Sequence, residues 1–428
     1  MLAERRHPTR FDLDRASTEH PVVAWHISLH FAVANTLALE KLGISAETED
    51  PEGGVIRRSE GSREPDGVLE ENATLVVRDG IPTPTLFEGL RLMREATRRY
   101  LSQGVTTAQS GYTDRRLVGV LPWMSRLGVV GVRMVVWPAD DVQDAALDGE
   151  IELTTYDPMW LRFGAVKIVA DGSIQGYTGY LTEPYHVPPP SEPADYRGFP
   201  RVSREELFER VERYQRAGLQ IAIHGNGDAT IDDILDAYES VRDVDRGAGG
   251  QTPTRHIVIH AQTSRPDQLD RMRELGVVPS FFSLHTYYWG DRHREIFLGP
   301  ERADRISPAR SAADRGVRYT IHADSPVVPM QPLRLVWSAV NRQSTGGAVL
   351  GEDERITVLE ALRAVTIDAA WQHFEEEIKG SLEPGKLADL VILSRSPLED
   401  STGLAEIDVV ETIIGGRTVW HRDLETAR

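Results

Sequence analysis

The chain has 428 residues, no cysteine and a formal net charge of -18. Its length exceeds the roughly 250 residues of a plain (β/α) barrel, so a large core can form. The missing cysteines exclude disulfides and thiolate metal sites, and the acidic charge argues against nucleic-acid and anionic-membrane partners. A small-molecule substrate, neutral or cationic, is favoured.

The N-terminal segment MLAERRHPTRFDLDR has no apolar core of a leader sequence, and no apolar run approaches the 18 or more residues of a membrane span. A cytoplasmic location is therefore expected. Residues 1–84 carry turn sequences such as PEGG and one helical stretch, VANTLALEKLG. We interpret this segment as an insertion or small subdomain near the mouth of a barrel.

Residues 85–377 carry a repeated strand and helix order that predicts a (β/α) barrel. Seven short runs predict strands, and the runs before His224, His260 and Asp324 are typical of buried parallel strands. The seven runs are VTTAQS, LGVVGVRMVVW, LRFGAVKIVADGS, LQIAIHGNGD, RHIVIHAQ, GVVPSFFSLH and RYTIHADSP. Ser203 with Glu206 and Thr357 with Glu360 predict helix starts, the second helix running through Trp371. A closed barrel needs eight strands, so one strand is missing.

Residues 378–428 have a different pattern. LADLVIL and VVETIIGGRTVW are apolar or alternating, and Gly415-Gly416 suits a hairpin loop between two strands. We predict a small β-domain here.

Three predicted strands end on side chains of the kind that bind metals, namely His224, His260 and Asp324. The ends of parallel strands converge at the mouth of a barrel, so these side chains are expected to meet. A single histidine at a strand end is more often a hydrogen-bonded structural residue, but two on neighbouring strands beside an aspartate favour a metal site. Asp324 could instead cap the turn before Pro326.

Six strings in chain order carry a resemblance to a known family: DPEGGVI, KIVADGS, IHGNGDATID, IVIHAQ, HADSPV and GSLEPGKLADLVIL. Together they resemble the amidohydrolase superfamily, specifically amidohydrolase family 3 of the YtcJ-like type, over about residues 10–424. The resemblance implies an α/β fold with a TIM-type (β/α)8 metal-dependent hydrolase barrel and a β-sandwich. It also implies hydrolysis of a non-peptide, amide-type C–N bond of a small molecule.

The resemblance further implies metal ligands at the ends of strands 4, 5, 6 and 8, which are Lys167, His224, His260 and Asp324. Lys167 would be carboxylated, although a salt bridge to Asp171 or a glutamate is the alternative. A divalent metal, zinc by expectation, would activate water, with Asp324 as general base and His260 or His285 polarising the carbonyl oxygen.

Four further residues are predicted to contact the substrate: His30, His285, Trp289 and His322. The last three follow strands 7 and 8, where simple packing is an equal alternative. His30 lies in a stretch that overhangs the mouth in the family, and an ordinary helix-surface histidine is the competing interpretation.

The His-x-His pair of the family's strand 1 has no counterpart in this sequence. His26 and His30 are four apart on a predicted helix or turn, so we do not assign them that role. We therefore expect an N-terminally truncated form, whether a mis-called start, a fragment or a truncated gene, in which one bound ion is favoured over two and turnover is strongly reduced. The tail would be a partial β-sandwich whose exposed strand edges invite association into homo-oligomers.

Two other functions are open from the sequence alone. The chain could be a non-catalytic truncated homologue that acts as a binding or assembly module through its uncovered strand edge. A glycosidase would use Asp171 and Asp324 as its two carboxylates, but that reading leaves both strand-end histidines unexplained.

Overall fold

The computed structural model describes residues 7–26, 30–80, 84–189, 192–244 and 254–423, without the side chains of residues 78 and 79. Ser28 and Leu29, which belong to the overhanging stretch predicted around His30, lie outside these residues. Within the described ranges, none of the helices combines the length and apolar character that crossing a bilayer requires.

The N-terminal part contains an antiparallel sheet that the sequence did not predict. Its elements are α1 (Arg10–Asp14), β1 (Val23–Trp25), β2 (Phe31–Ala34), α2 (Thr36–Leu42), β3 (Gly54–Arg58), β4 (Pro65–Glu71) and α3 (Leu75–Gly80). The strands are ordered β1, β2, β4, β3, and β2 pairs with β4. His26 directly follows β1, and His30 directly precedes β2. The two histidines therefore lie at the adjoining ends of two paired strands and not on a helix.

Strands and helices then alternate along the chain. The elements are α4 (Leu86–Ser102), β5 (Thr107–Thr113), α5 (Arg115–Arg126), β6 (Arg133–Pro138), α6 (Asp140–Leu147), β7 (Leu161–Phe163), β8 (Val166–Val169), α7 (Arg204–Arg216), β9 (Ile221–Gly225), α8 (Asp228–Ser240), β10 (Ile257–His260), α9 (Pro266–Leu275), β11 (Val278–Phe281), α10 (Leu284–Arg292), α11 (Pro300–Ala303), α12 (Ala309–Asp314), β12 (Thr320–Ile321), α13 (Pro332–Asn341), α14 (Val358–Ala364) and α15 (Ile367–Gln372).

These strands form two parallel sheets, β5-β6-β7 and β8-β9-β10-β11-β12, which a bridge between Ala139 and Lys167 connects. The predicted α/β class with parallel strands is confirmed. No described strand pairs with the outer edge of β5 or of β12. Closure as an eight-stranded barrel that lacks strand 1 stays a prediction.

Three predicted strands are longer than the observed ones. β6 begins only at Arg133, because Gly128 turns the chain with a φ of 66° before it. β7 and β8 are separated at Gly164, where a Cβ would lie 2.7 Å from Val135 and 2.9 Å from Trp137. β12 covers two residues, and Asp324 follows it in a turn with a φ of 53°.

Both predicted helix starts are confirmed, since α7 begins after Ser203 and α14 after Thr357. The structure differs from the prediction in one capping box and in the length of one helix. Ser203 accepts a hydrogen bond from the Glu206 amide at 3.3 Å, but the Glu206 carboxylate pairs with Arg210 and does not close a capping box. Thr357 and Glu360 do form one. The helix predicted through Trp371 is divided into α14 and α15.

A buried apolar core holds the strand ends in place. Seven side chains of α7 and α8 are buried in this core: Leu207, Val211, Tyr214, Ile231, Ile234, Leu235 and Tyr238. Such side chains contribute about 1.5–3 kcal/mol each when they leave water, and dense packing limits the movement of the strands they cover.

The last segment is a three-stranded antiparallel sheet of β13 (Leu390–Leu393), β14 (Val409–Ile414) and β15 (Arg417–His421). Gly415 and Gly416 turn the hairpin with φ angles of 59° and 74°, as predicted. Arg133 Nε donates to Asp389 Oδ2 at 2.6 Å and fastens this sheet to the start of β6. The segment boundaries at residues 84 and 377 stay predictions.

Candidate active site

Two histidines meet at the carboxyl ends of adjacent parallel strands. In the pairing of β9 with β10, His224 is opposite Ile259 and His260 is opposite Gly225. The ring centroids of His224 and His260 are 4.5 Å apart. Burial, followed by Lys167, lowers the pKa of His224 well below its ordinary value, and burial followed by His224 does the same for His260. Both imidazoles are therefore neutral near pH 7, as metal ligands must be.

Asp171 fixes the orientation of the first imidazole. Its Oδ1 accepts hydrogen bonds from His224 Nδ1 at 2.9 Å and from the Asn226 amide at 3.0 Å. Its Oδ2 accepts from the Gly227 amide at 2.8 Å. Burial raises the pKa of Asp171 to about 7 against the opposing effect of these amides. This aspartate is thus engaged by β9 and the loop after it.

Lys167 and Asp324 supply the two remaining predicted ligands. Lys167 is buried, and its ammonium makes no hydrogen bond or ion pair with a described residue, so the alternative of a salt bridge to Asp171 or a glutamate is not found there. Burial lowers the pKa of Lys167 to about 8, opposed by Asp324 and Asp171. The side chain of Asp324 is exposed to solvent. The protein atoms around its carboxylate nevertheless raise its pKa, and the charge of Lys167 lowers it in part. The carboxylate of Asp324 is thus accessible to solvent while it lies close to Lys167.

A chain of hydrogen bonds fixes the second imidazole. His260 Nδ1 lies 3.2 Å from His322 Nε2, and His322 Nδ1 lies 3.0 Å from Ser280 Oγ. If His260 donates to His322, and His322 donates to Ser280, the lone pair of His260 is on Nε2. His322, predicted to contact substrate, therefore supports His260 as well. Burial lowers its pKa to about 3.

His285 and Trp289 form a wall beside the histidine pair. The ring centroids of His285 and His260 are 5.9 Å apart, and those of His285 and Trp289 are 5.8 Å apart. His285 Nδ1 is buried and has no hydrogen-bond partner among the described residues. This unsatisfied nitrogen could serve a group of a bound substrate.

The N-terminal sheet brings His30 to the same place. The rings of His30 and His224 are 5.5 Å apart, and Glu71 Oε2 lies 2.8 Å from His30 Nδ1. Glu71 Oε1 accepts from Thr178 Oγ1 at 2.6 Å, and Arg201 lies 3.4 Å from Oε2. Burial raises the pKa of Glu71, but His30, Arg201 and Thr178 outweigh it and the pKa is lowered. Sequence reasoning missed Glu71, because its partners lie on distant segments.

The predicted site residues therefore form one contiguous region, linked by ring contacts and charge interactions: His30, Lys167, His224, His260, His285, Trp289, His322 and Asp324. Among the described residues, no three His, Asp or Glu side chains converge closely enough to enclose an ion. The roles of these residues remain predictions.

Residues 1–420 match the amidohydrolase family. The chain belongs to the amidohydrolase family. The predicted resemblance is thereby confirmed. This amidohydrolase is 31% identical to N-substituted formamide deformylase of Arthrobacter pascens over 98% of the chain and 77% of that protein. It is 26% identical to the putative amidohydrolase YtcJ of Bacillus subtilis over 97% of the chain and 77% of that protein.

A solved structure supports the same assignment. An uncharacterized metal-dependent hydrolase from Pyrococcus horikoshii shares 25% identity with a TM-score of 0.72, over 93% of this chain and 76% of that one. The prediction of an enzyme that hydrolyses C–N bonds is confirmed. These similarities support neither the predicted impairment nor the non-catalytic alternative.

The family implies a divalent metal, and the donor chemistry of this amidohydrolase fits one. Asp171 and His322 engage the Nδ1 atoms of the two imidazoles, so the Nε2 atoms are the ones that would bind a metal. Asn226 Nδ2 lies 3.3 Å from His224 Nε2 and would have to give way to the metal. Metal-binding histidines characteristically hold their second ring nitrogen in this way. Lys167 adds a buried amine with no hydrogen-bond partner among the described residues, and Asp324 adds a carboxylate.

Proposed function

We propose that this amidohydrolase hydrolyses the C–N bond of small N-acyl amines, with N-substituted formamides as the first substrates to test. The observation that carries the proposal is the pair of neutral, buried imidazoles of His224 and His260, whose ring centroids are 4.5 Å apart at neighbouring strand ends. The formamide class comes from the deformylase of Arthrobacter pascens, which aligns with 98% of the chain.

The metal ligands in this proposal are Lys167, His224, His260 and Asp324, and the ion is zinc, with one or two ions per chain. Lys167 would be carboxylated: its uncharged amine adds to carbon dioxide, forms a carbamate and releases a proton to solvent. The lowered pKa of the buried Lys167, about 8, increases the fraction of that amine near neutral pH. The proposed scaffold is a (β/α)8 barrel without strand 1 and a partial β-sandwich.

The protein's own residues divide the chemistry among them. A divalent metal, when bound, lowers the pKa of a water and polarises a carbonyl oxygen. Asp324 is open to solvent and has a raised pKa, so it can accept a proton from the attacking water and return it to the leaving nitrogen. His285 can donate to the carbonyl oxygen of the substrate, and Trp289 packs beside the substrate. His260, the other residue predicted for the carbonyl oxygen, has its Nδ1 engaged by His322 and its Nε2 assigned to the metal, so His285 is proposed for this role.

The location and partners of this enzyme belong to the proposal as well. A cytoplasmic protein that takes a small-molecule substrate, without a nucleic-acid or membrane partner, is what the sequence predicts. Association of copies through the edges of the C-terminal sheet also stays a prediction.

The test combines metal analysis with an assay of hydrolysis on N-substituted formamides and their N-acetyl counterparts. Hydrolysis is measured as the amount of amine released. We expect the zinc-loaded protein to release amine and the double variant His224→Ala, His260→Ala to lose both bound metal and hydrolysis. His20→Ala is the control, because His20 is exposed and remote from the site. If the metal-loaded protein cleaves no member of the panel, or if the double variant retains its metal, the proposal is wrong.

A further inference from the structure

The guanidinium of Arg292, the last residue of α10, forms no ion pair with any residue that the structure describes. Its carbon lies 5.1 Å from the ring centroid of Phe297, and its Nε is buried without a hydrogen-bond partner among the described residues. Burial lowers the pKa of Arg292, and the phenol of Tyr177 acts in the opposite direction. A partly buried cation without an anion costs free energy unless a ligand supplies the missing charge.

Arg292 lies on the face of α10 that borders the candidate active site. His285, Trp289 and Arg292 are spaced i, i+4 and i+7, so they share one side of the helix. His285 is next to His260, and Arg292 is about 10 Å farther along the helix axis, at 1.5 Å per residue. A π-helical turn, His293–Phe297, follows directly, a feature that is frequent at functional sites.

Segments from two other parts of the chain complete the surroundings of Arg292. Tyr177, in the loop after β8, packs its ring 4.9 Å from Phe297. On the side of the N-terminal sheet, Phe31 lies 5.8 Å from His26, and a Cβ on Gly176 would lie only 2.4 Å from the Phe31 ring. The rim around Arg292 is therefore aromatic and built from three separate segments.

Two histidines and two arginines of this region influence one another through their charges. Burial lowers the pKa of His26, and His7, His30 and Arg292 lower it further. The pKa of His7 is lowered by burial first and then by Arg57 and Arg292, whereas Asp66 raises it. Arg57 is paired with Glu70 at 2.7 Å and with Glu192 at 2.9 Å, so Arg292 is the cation of this rim that no described carboxylate neutralises.

We propose that Arg292 binds a carboxylate of the substrate, at the end of the molecule remote from the scissile amide. This inference rests on the proposed function and narrows its substrate class to N-acyl amines that carry a distal carboxylate. The proposed substrate class differs from the neutral or cationic substrates that the net charge favours, because it depends on one local cation and not on the charge of the whole chain. Trp289 lies between the reacting end and the anionic end and would cover the apolar middle of such a molecule.

The first experiment measures binding without turnover. Hexanoate and its neutral isostere hexanamide are titrated calorimetrically into the wild-type protein, Arg292→Gln, Arg292→Lys and Arg334→Gln. Arg334 is the matched control, because its guanidinium also lies over an aromatic ring, with its carbon 5.2 Å from the ring centroid of Tyr287. Arg334 lines a different groove, on the outside of the protein. We expect hexanoate to bind about 10- to 100-fold more weakly to Arg292→Gln, with partial recovery in Arg292→Lys and no change in Arg334→Gln. Equal binding of hexanoate and hexanamide to the wild type, or loss only in Arg334→Gln, would overturn the proposal.

The second experiment measures selectivity in turnover. The ratio of kcat/KM for N-formyl-6-aminohexanoate to that for N-formylhexylamine should fall about 10- to 100-fold in Arg292→Gln, mainly through KM. An unchanged ratio contradicts the assignment. If neither compound is hydrolysed while hexanoate still binds through Arg292, the carboxylate site stands and the proposed hydrolysis of N-acyl amines fails.

Discussion

Glu71 Oε2 lies 2.8 Å from His30 Nδ1, and this contact joins the N-terminal sheet to the strand ends that carry the site. The carboxylate is almost fully buried at the end of β4, and Arg201 and Thr178 also engage it. Glu71 thereby holds the imidazole of His30 toward His224. The contact explains how the N-terminal segment, predicted to lie near the mouth of the barrel, places His30 in the site.

Glu71→Gln should displace His30 and leave Arg201 without its full charge partner. We expect kcat/KM to fall about 10- to 100-fold and the free energy of unfolding to fall by roughly 1–3 kcal/mol. Steady-state kinetics and urea unfolding measure the two effects. Glu70→Gln is the matched control, since Glu70 is also buried and pairs with Arg57 at 2.7 Å on the other side of β4. A comparable loss of kcat/KM in both variants would show that the effect is one of stability only.

Asp171→Asn should weaken metal binding while the ligand atoms stay in place. Loss of the carboxylate at 2.9 Å from His224 Nδ1 removes the group that orients this imidazole. We expect zinc affinity, measured by competition with a chelating dye, to fall about 10- to 100-fold. Asp228→Asn serves as the control, because Asp228 is also buried but bonds Thr182 and Arg265. Unchanged zinc affinity in Asp171→Asn would remove His224 from the proposed ligands.

Gly164→Ala should destabilise the fold at the junction of β7 and β8. The new Cβ would lie 2.7 Å from Val135 and 2.9 Å from Trp137, too close for either to remain in place. The expected loss is about 1–3 kcal/mol in the free energy of unfolding. Gly119→Ala, within α5 and with open space around its Cα, should instead stabilise by up to about 1 kcal/mol. Chemical denaturation of both variants tests the pair, and a tolerated Gly164→Ala would disprove the steric argument.

Stability should decline in acid because of buried histidines outside the proposed metal site. Burial lowers the pKa of His293 and of His373 to about 3. Their stabilisation is complete above the ordinary pKa of 6.5 and is lost as pH falls toward about 3, because the unfolded chain then binds more protons. Each histidine contributes a slope of up to about 1.4 kcal/mol per pH unit in that window.

The measurement is urea unfolding between pH 4 and pH 8 with excess chelator, so that metal binding does not contribute. His373→Gln should reduce the slope, whereas the exposed control His20→Gln should not. A slope that is identical in His373→Gln and the unmodified chain would contradict the assignment of this histidine.

The sequence predicted what depends on local pattern. The helix caps at Thr357 and the strand runs that end near His224 and His260 follow from neighbouring residues, and the structure contains them. The N-terminal sheet was missed because β2 and β4 pair across a long loop, Phe31 opposite Glu70, and no local signal sets that register. The partner of Glu71 at Thr178 is equally remote in sequence. Arg292 has no ion-pair partner among the described residues, and this property of the folded surroundings cannot be read from composition.

Gly172 lies where the loop after β8 meets the N-terminal sheet, and there is no room for a side chain at this position. A Cβ at this position would lie 2.1 Å from Glu71 Oε1 and 2.0 Å from Thr178 Oγ1, while the preceding residue, Asp171, orients His224. One short loop thus aligns a proposed metal ligand and docks the N-terminal sheet at the same time. We expect natural variants to tolerate changes in the N-terminal sheet or at the strand-end histidines only when the sequence of this loop is kept. A change in the loop itself would alter the sheet and the histidine together, and with them the range of substrates.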